Sequence, residues 1–156
     1  MMRAKGMPAK LGVTILVLRL LTAGSAFAAP TSVNKTQDLN FGRVVGGAGY
    51  SGTVTITSAG SRTSTGSVIP LGTTFSPARF TITGTAGKSY TITLPPSMAI
   101  NAGADQMTVT AITSSIALTG VIPAGGTVAF WVGGTLNVGA TQRNALYSSN
   151  MNVSVK

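Results

Sequence analysis

The sequence predicts an all-β fold, an antiparallel β-sandwich of about 7–9 strands. Three observations carry this. Short runs alternate apolar and polar residues with a period of two, and β-branched residues fill most positions of each run. Clusters of Gly, Pro, Asn and Ser separate the runs. Beyond residue 29 almost nothing shows the spacing of an amphipathic helix.

In chain order, residues 1–28 come first and read as a cleaved signal peptide. Arg3, Lys5 and Lys10 form a positive start, and Leu11 to Leu21 is an apolar run too short to span a bilayer, which takes roughly 20 residues. Ala26-Phe27-Ala28 is the small-x-small step a signal peptidase accepts, which puts the mature start at Ala29. Residues 29–38 read as a short N-terminal extension with Val33 its one large apolar residue, and 39–156 as a single sandwich domain.

Within that domain, Thr53-Val54-Thr55-Ile56-Thr57 sets Val and Ile on one face and threonines on the other. Phe80-Thr81-Ile82-Thr83 and Tyr90-Thr91-Ile92-Thr93-Leu94 repeat the pattern, and the Gly-bearing link 84–88 between them predicts a hairpin. The series continues with Met107 to Ile112, Val128 to Val132, Leu136 to Val138 and Met151 to Val155. Threonine suits the outer face: its β-branch favours the pleat, and water satisfies its hydroxyl, so the sheet needs few charges.

Composition narrows the chemistry. The 156 residues include no His and no Cys, and the only acids are Asp38 and Asp105. There is therefore no imidazole base, thiolate nucleophile or Cys/His metal site, and an exported domain without disulfides must rely on its core. No catalytic, cofactor-binding or metal-ligating residues are expected, and the protein reads as a non-enzyme. Asp38 and Asp105 border turns, where carboxylates cap backbone amides. Without the leader, seven basic side chains face two acidic ones, dispersed and without the aromatic interleaving of a nucleic-acid stripe.

Phe130 and Trp131 are adjacent on one strand, so they point to opposite faces, and Trp131 is the candidate exposed aromatic. Phe41 reads as a core anchor. Tyr147 resembles a tyrosine corner, its hydroxyl tying the last strand to nearby backbone.

Several segments taken in order carry a family resemblance: Leu39-Asn40-Phe41-Gly42, Gly52 to Ile56, Gly60 to Thr63 with Gly66, Pro77 to Gly84, Tyr90 to Pro95, and Gly134 to Ala140. Together they resemble the domain of unknown function family 4402, exported bacterial β-sandwich domains similar in turn to spore coat protein U and archaic chaperone-usher pilin subunits. The resemblance implies an immunoglobulin-like, pilin-like form of the sandwich, and a structural subunit in the periplasm or at the extracellular surface of a Gram-negative bacterium, serving fimbrial or biofilm-matrix assembly. It also implies partners: a periplasmic chaperone and usher, or neighbouring subunits, contacted through the alternation of Met151, Val153 and Val155. The alternative is a monomeric secreted module that binds envelope polysaccharide through Trp131 or the basic side chains.

Overall fold

A computed structural model describes residues 31–46, 49 and 51–156; the leader read over 1–28, with Ala29 and Pro30, lies outside the described residues. The described residues form no helix, and none therefore long and apolar enough to cross a membrane. Among the described residues, twelve strands follow one another: β1 (Ser32–Gln37), β2 (Arg43–Val45), β3 (Gly52–Ile56), β4 (Arg62–Gly66), β5 (Ile69–Leu71), β6 (Ala78–Thr83), β7 (Ser89–Thr93), β8 (Met98–Ala102), β9 (Asp105–Ser114), β10 (Thr119–Val121), β11 (Thr127–Val138) and β12 (Ser154–Val155). All pairings are antiparallel. The expected β-sandwich is present, with a large curled sheet facing smaller ones.

The large sheet has seven strands, ordered β1-β6-β11-β3-β4, with β9 also on β11 and β8 on β9. Its spine is β11. Thr127 to Val132 pair with β6, Gly134 to Val138 pair with β3, and Val132 to Asn137 pair with β9. Since β9 pairs opposite both, β6 and β3 abut end to end on one edge of β11. That handover occurs at Gly133. A Cβ there would come 2.6 Å from the Ser58 amide nitrogen and closer still to the Ile56 carbonyl oxygen, so only glycine lets the two strand ends meet. The sequence reading split this strand into Val128–Val132 and Leu136–Val138; the intervening glycines are a close-approach site inside one strand.

Alternation places the side chains as expected. Val54, Ile56, Phe80, Ile82, Tyr90 and Ile92 are buried, while the threonines between them face out or are half-buried. One irregularity interrupts it. Residues 111 and 112 together oppose the single Gly134, a bulge with Ala111 at φ 48°, and the inward face of β9 passes from Val109 to Ile112.

Two pairings differ from expectation. The hairpin predicted across 84–88 does not form: β6 belongs to the large sheet and β7 to a three-stranded sheet, β10-β7-β12. Phe80, Ile82, Tyr90 and Ile92 still share one core, now from opposite layers. The link is fixed by Gly84 and Gly87 amides donating to the carbonyls of Gly126 and Ile122, at 3.0 and 2.8 Å. Alternation marks which face a residue shows; it does not choose a strand's neighbour. In turn, Ser32–Gln37, read as an extension ahead of the domain, is the edge strand β1 on β6, with Val33 opposite Ile82 and packed on the core.

The apolar interior divides along β11. A first core gathers Phe41, Val54, Ile56, Val68, Ile100, Val109, Leu136 and Val138. The second gathers Ala78, Phe80, Ile82, Tyr90, Ile92, Ile122, Phe130 and Val132. Truncating Ile82 or Ile92 to Ala is expected to cost about 2–5 kcal/mol in urea unfolding. Thr81→Ala or Thr91→Ala should cost under about 1 kcal/mol. Equal costs on both faces would show that β6 and β7 are covered on both sides.

Candidate functional site

The two cores are covered unequally. Over the second lies the three-stranded sheet, with Met151, Val153 and Val155 packed against it. Among the described residues, those over the first are the β2–β5 ribbon and the stretch 139–153, which forms no strand and makes one bridge there, Asn101 to Ser148. The shortfall leaves a groove of about 1150 Å³. Its floor is the core itself: Met98, Ile100, Met107, Val109, Leu136 and Val138. One wall is residues 38–46, the other residues 139–151.

Each wall is pinned at its own points. On the first, the Gly42 amide donates to Asn40 Oδ1 at 2.8 Å, and Gly42 holds φ 77°, a left-handed turn that glycine adopts without strain. Arg62 Nη1 donates to the Phe41 carbonyl at 3.3 Å, with its guanidinium 4.4 Å from the Phe75 ring centroid. On the second, the Tyr147 hydroxyl donates to the Arg143 carbonyl at 3.0 Å and accepts from Gln142 Nε2 at 2.7 Å. The tyrosine thus ties the loop ahead of β12 to its own backbone, and not the last strand itself as the sequence reading had it. Arg143 reaches across to Asp105 at 2.7 Å, and Lys35 pairs with Asp38 near the opposite rim. Both aspartates are therefore spent in ion pairs rather than as amide caps, and no group of three or more metal-ligating side chains occurs among the described residues. Leu146, 89% exposed on the second wall, is the most exposed large apolar side chain described.

The residues singled out in the sequence fall in three places. Met151 lines the end of the groove, whereas Val153 and Val155 lie beyond it, Val155 opposite Ile92 in β12. The C-terminal alternation thus serves first to close the chain's own second core. Phe130 and Trp131 divide as expected, Phe130 fully buried and Trp131 38% exposed on the outer face of β11. Met98 and Ile100 were missed because β8 reads as a turn-rich stretch; the only signal was two apolar residues at a spacing of two before Asn101.

Fold and site together define a class: an antiparallel β-sandwich with two buried cores and an apolar-floored groove lying mainly over one of them. The chain belongs to the family described as Domain of unknown function (DUF4402), whose family model matches residues 31–156. No curated protein and no solved structure matches it.

Proposed function

We propose that the protein is a non-catalytic structural subunit of the bacterial surface, for fimbrial or biofilm-matrix assembly, that receives an extended strand from a neighbouring subunit or a periplasmic chaperone. The observation that carries this is the groove over the first core. Strand addition requires an apolar floor beside an exposed strand edge: side chains at every second position fill the floor, and the backbone bonds to the edge, here that of β8, which carries Met98 and Ile100 and among the described strands pairs with β9 alone. A rigid, preformed small-molecule site would instead converge several polar groups on one point. The leader read over residues 1–28 and the inventory without His, Cys or Glu support the same reading. So does the placement of β1. Being already paired with β6, it is not free to be donated, so this chain accepts a strand more readily than it supplies one.

The test is binding of synthetic peptides of ten to twelve residues with Val or Ile at alternate positions. Saturable binding is expected, with a raised melting temperature, since a ligand that binds only the folded state stabilises it. Amide exchange in 139–147 should slow on binding. A peptide with Asp at the same alternate positions should not bind. If no alternating peptide binds, and the amides of 139–147 are already as protected as those of β6, the first core is closed in solution and the proposal fails.

A further inference from the structure

We propose that the outer face of β11 carries a second, independent site: a platform for acidic polysaccharide built on Trp131. The inference does not rest on the groove, which lies over the first core on the inner side of the same sheet.

Strand register assembles the platform. Gln37 of β1 stands opposite Arg79 of β6, and Arg79 stands opposite Trp131 of β11. Ser115, just past β9, completes the row, its amide donating to the Trp131 carbonyl at 2.8 Å while its Oγ accepts from the Trp131 amide at 2.9 Å. Four side chains from four adjacent segments thus form one line, about 14 Å long at the usual spacing between strands. The neighbouring outward positions, Asn34, Thr81 and Ala129, are small, so the indole stands clear of them.

A cleft of about 500 Å³ opens beside the indole, walled by Gln37, Ser58, Ala59, Pro77 and Ser115. It lies where β3 and β6 end against each other on one edge of β11, between the chain leaving β3 at Ser58 and the chain entering β6 at Pro77. Its far wall is held in shape: the Thr57 and Ser61 hydroxyls lie 2.8 Å apart, and the Ser61 amide donates to Thr57 Oγ at 3.1 Å. Arg79 holds its guanidinium 5.5 Å from the indole centroid but is not among the cleft walls. The ring is therefore steadied by a cation and still presents surface to the cleft.

These groups suit a sugar. An indole face takes the apolar C–H side of a pyranose ring, and a tryptophan combines a broad apolar body with a polar edge. Gln37 Nε2 donates to the Pro77 carbonyl at 3.1 Å, which orients the amide and leaves Oε1 to accept from a sugar hydroxyl. Ser115 Oγ, already accepting from a backbone amide, keeps its proton to donate. The cleft walls carry no carboxylate, and Arg79 adds positive potential, so a uronate-containing chain is favoured over a neutral or basic one. A protein hot spot is a fully desolvated pocket ringed by further contacts, whereas here the Ser58 and Ser115 hydroxyls and the Gln37 amide stand beside the apolar indole, Ala59 and Pro77, the mixture a sugar ring presents in return.

Trp131 is the only tryptophan in the chain, so its fluorescence reports on this site alone. Titration with oligogalacturonate should shift its emission saturably, and the protein should be retarded in gels containing polygalacturonate. Trp131→Ala should weaken retardation by about tenfold or more, the loss of the aromatic contact. Arg79→Gln should reduce the preference for polygalacturonate over neutral dextran, and Thr127→Ala, on the same face, should leave binding intact. Far-ultraviolet dichroism confirms that each variant is folded. The Trp131→Ala protein should still bind the alternating peptide, which separates failure here from failure of the groove. Retardation unchanged in Trp131→Ala would mean bulk attraction to a basic protein and would overturn the proposal, as would an emission spectrum that no uronate moves. Trp131 quenched by a cell-surface protein and by no polysaccharide would also overturn it.

Discussion

Replacing Phe130 with alanine is expected to remove about 3–5 kcal/mol of stability, a large part of the roughly 5–15 kcal/mol by which a domain of this kind holds together. Phe130 is fully buried and stacks on Phe80 with ring centroids 5.4 Å apart and planes 20° from parallel. It sits mid-strand on the spine, under the three-stranded sheet, where both layers are hydrogen-bonded ladders and cannot collapse into the space it leaves. The informative comparison is Ile100→Ala. Ile100 is 9% exposed and forms part of the groove floor, so its removal enlarges a space already open to water instead of creating a sealed cavity. Its cost should lie near the low end of the range for such truncations, about 2 kcal/mol. Binding a strand in the groove should then raise the Ile100→Ala cost and leave that of Phe130→Ala unchanged. Urea unfolding with and without the alternating peptide measures both. If the two truncations cost the same in the free protein, the first core is as closed as the second.

That asymmetry was not legible in the sequence, although much of the fold was. Strands that bury one face announced themselves: the Val54/Ile56, Phe80/Ile82 and Tyr90/Ile92 pairs alternate with threonine, and each pair is buried. Parity along Val128–Val132 also placed Phe130 inside and Trp131 outside. Strands held mainly by their neighbours gave no such signal. β4, Arg-Thr-Ser-Thr-Gly, carries no large apolar residue; it forms because β3 offers an edge, and Thr65 meets Thr53 hydroxyl to hydroxyl at 2.8 Å. β2, β5 and β10 are three residues each, too short to show a period. The groove is a consequence of pairing, of β7 leaving its sequence neighbour β6 for the opposite layer and of 139–153 running without a ladder. No single residue encodes it. The site at Trp131 is half legible: the tryptophan could be read from parity, whereas Gln37, Arg79 and Ser115, distant along the chain, join it only through register.

The second large effect concerns β1. A chain beginning at Asp38 is expected to be less stable than one beginning at Ala29 by on the order of 3 kcal/mol or more, because Ile82 and Phe80, now buried on β6, would lose the cover of Val33 and the adjoining strand, and burial of each such side chain contributes about 1.5–3 kcal/mol. The ladder from Ser32 to Gln37 goes with it, and β6 becomes a sheet edge with unpaired amides and carbonyls. Such an edge is a template for any free strand, so the shortened protein should self-associate in size-exclusion chromatography where the longer one does not. Supplying the sequence Thr31 to Asp38 as a free peptide should reverse both changes, since it restores the missing edge in trans. This distinguishes two meanings of an assembly defect. A polymer lost on deletion of these residues could reflect a lost donor or a broken acceptor, and the peptide separates them: rescue of a monomer's stability identifies β1 as part of the subunit's own sheet. Deletion without any loss of stability would instead make β1 a detachable arm, and the segment would then have to be counted among the strands available to a neighbour's groove.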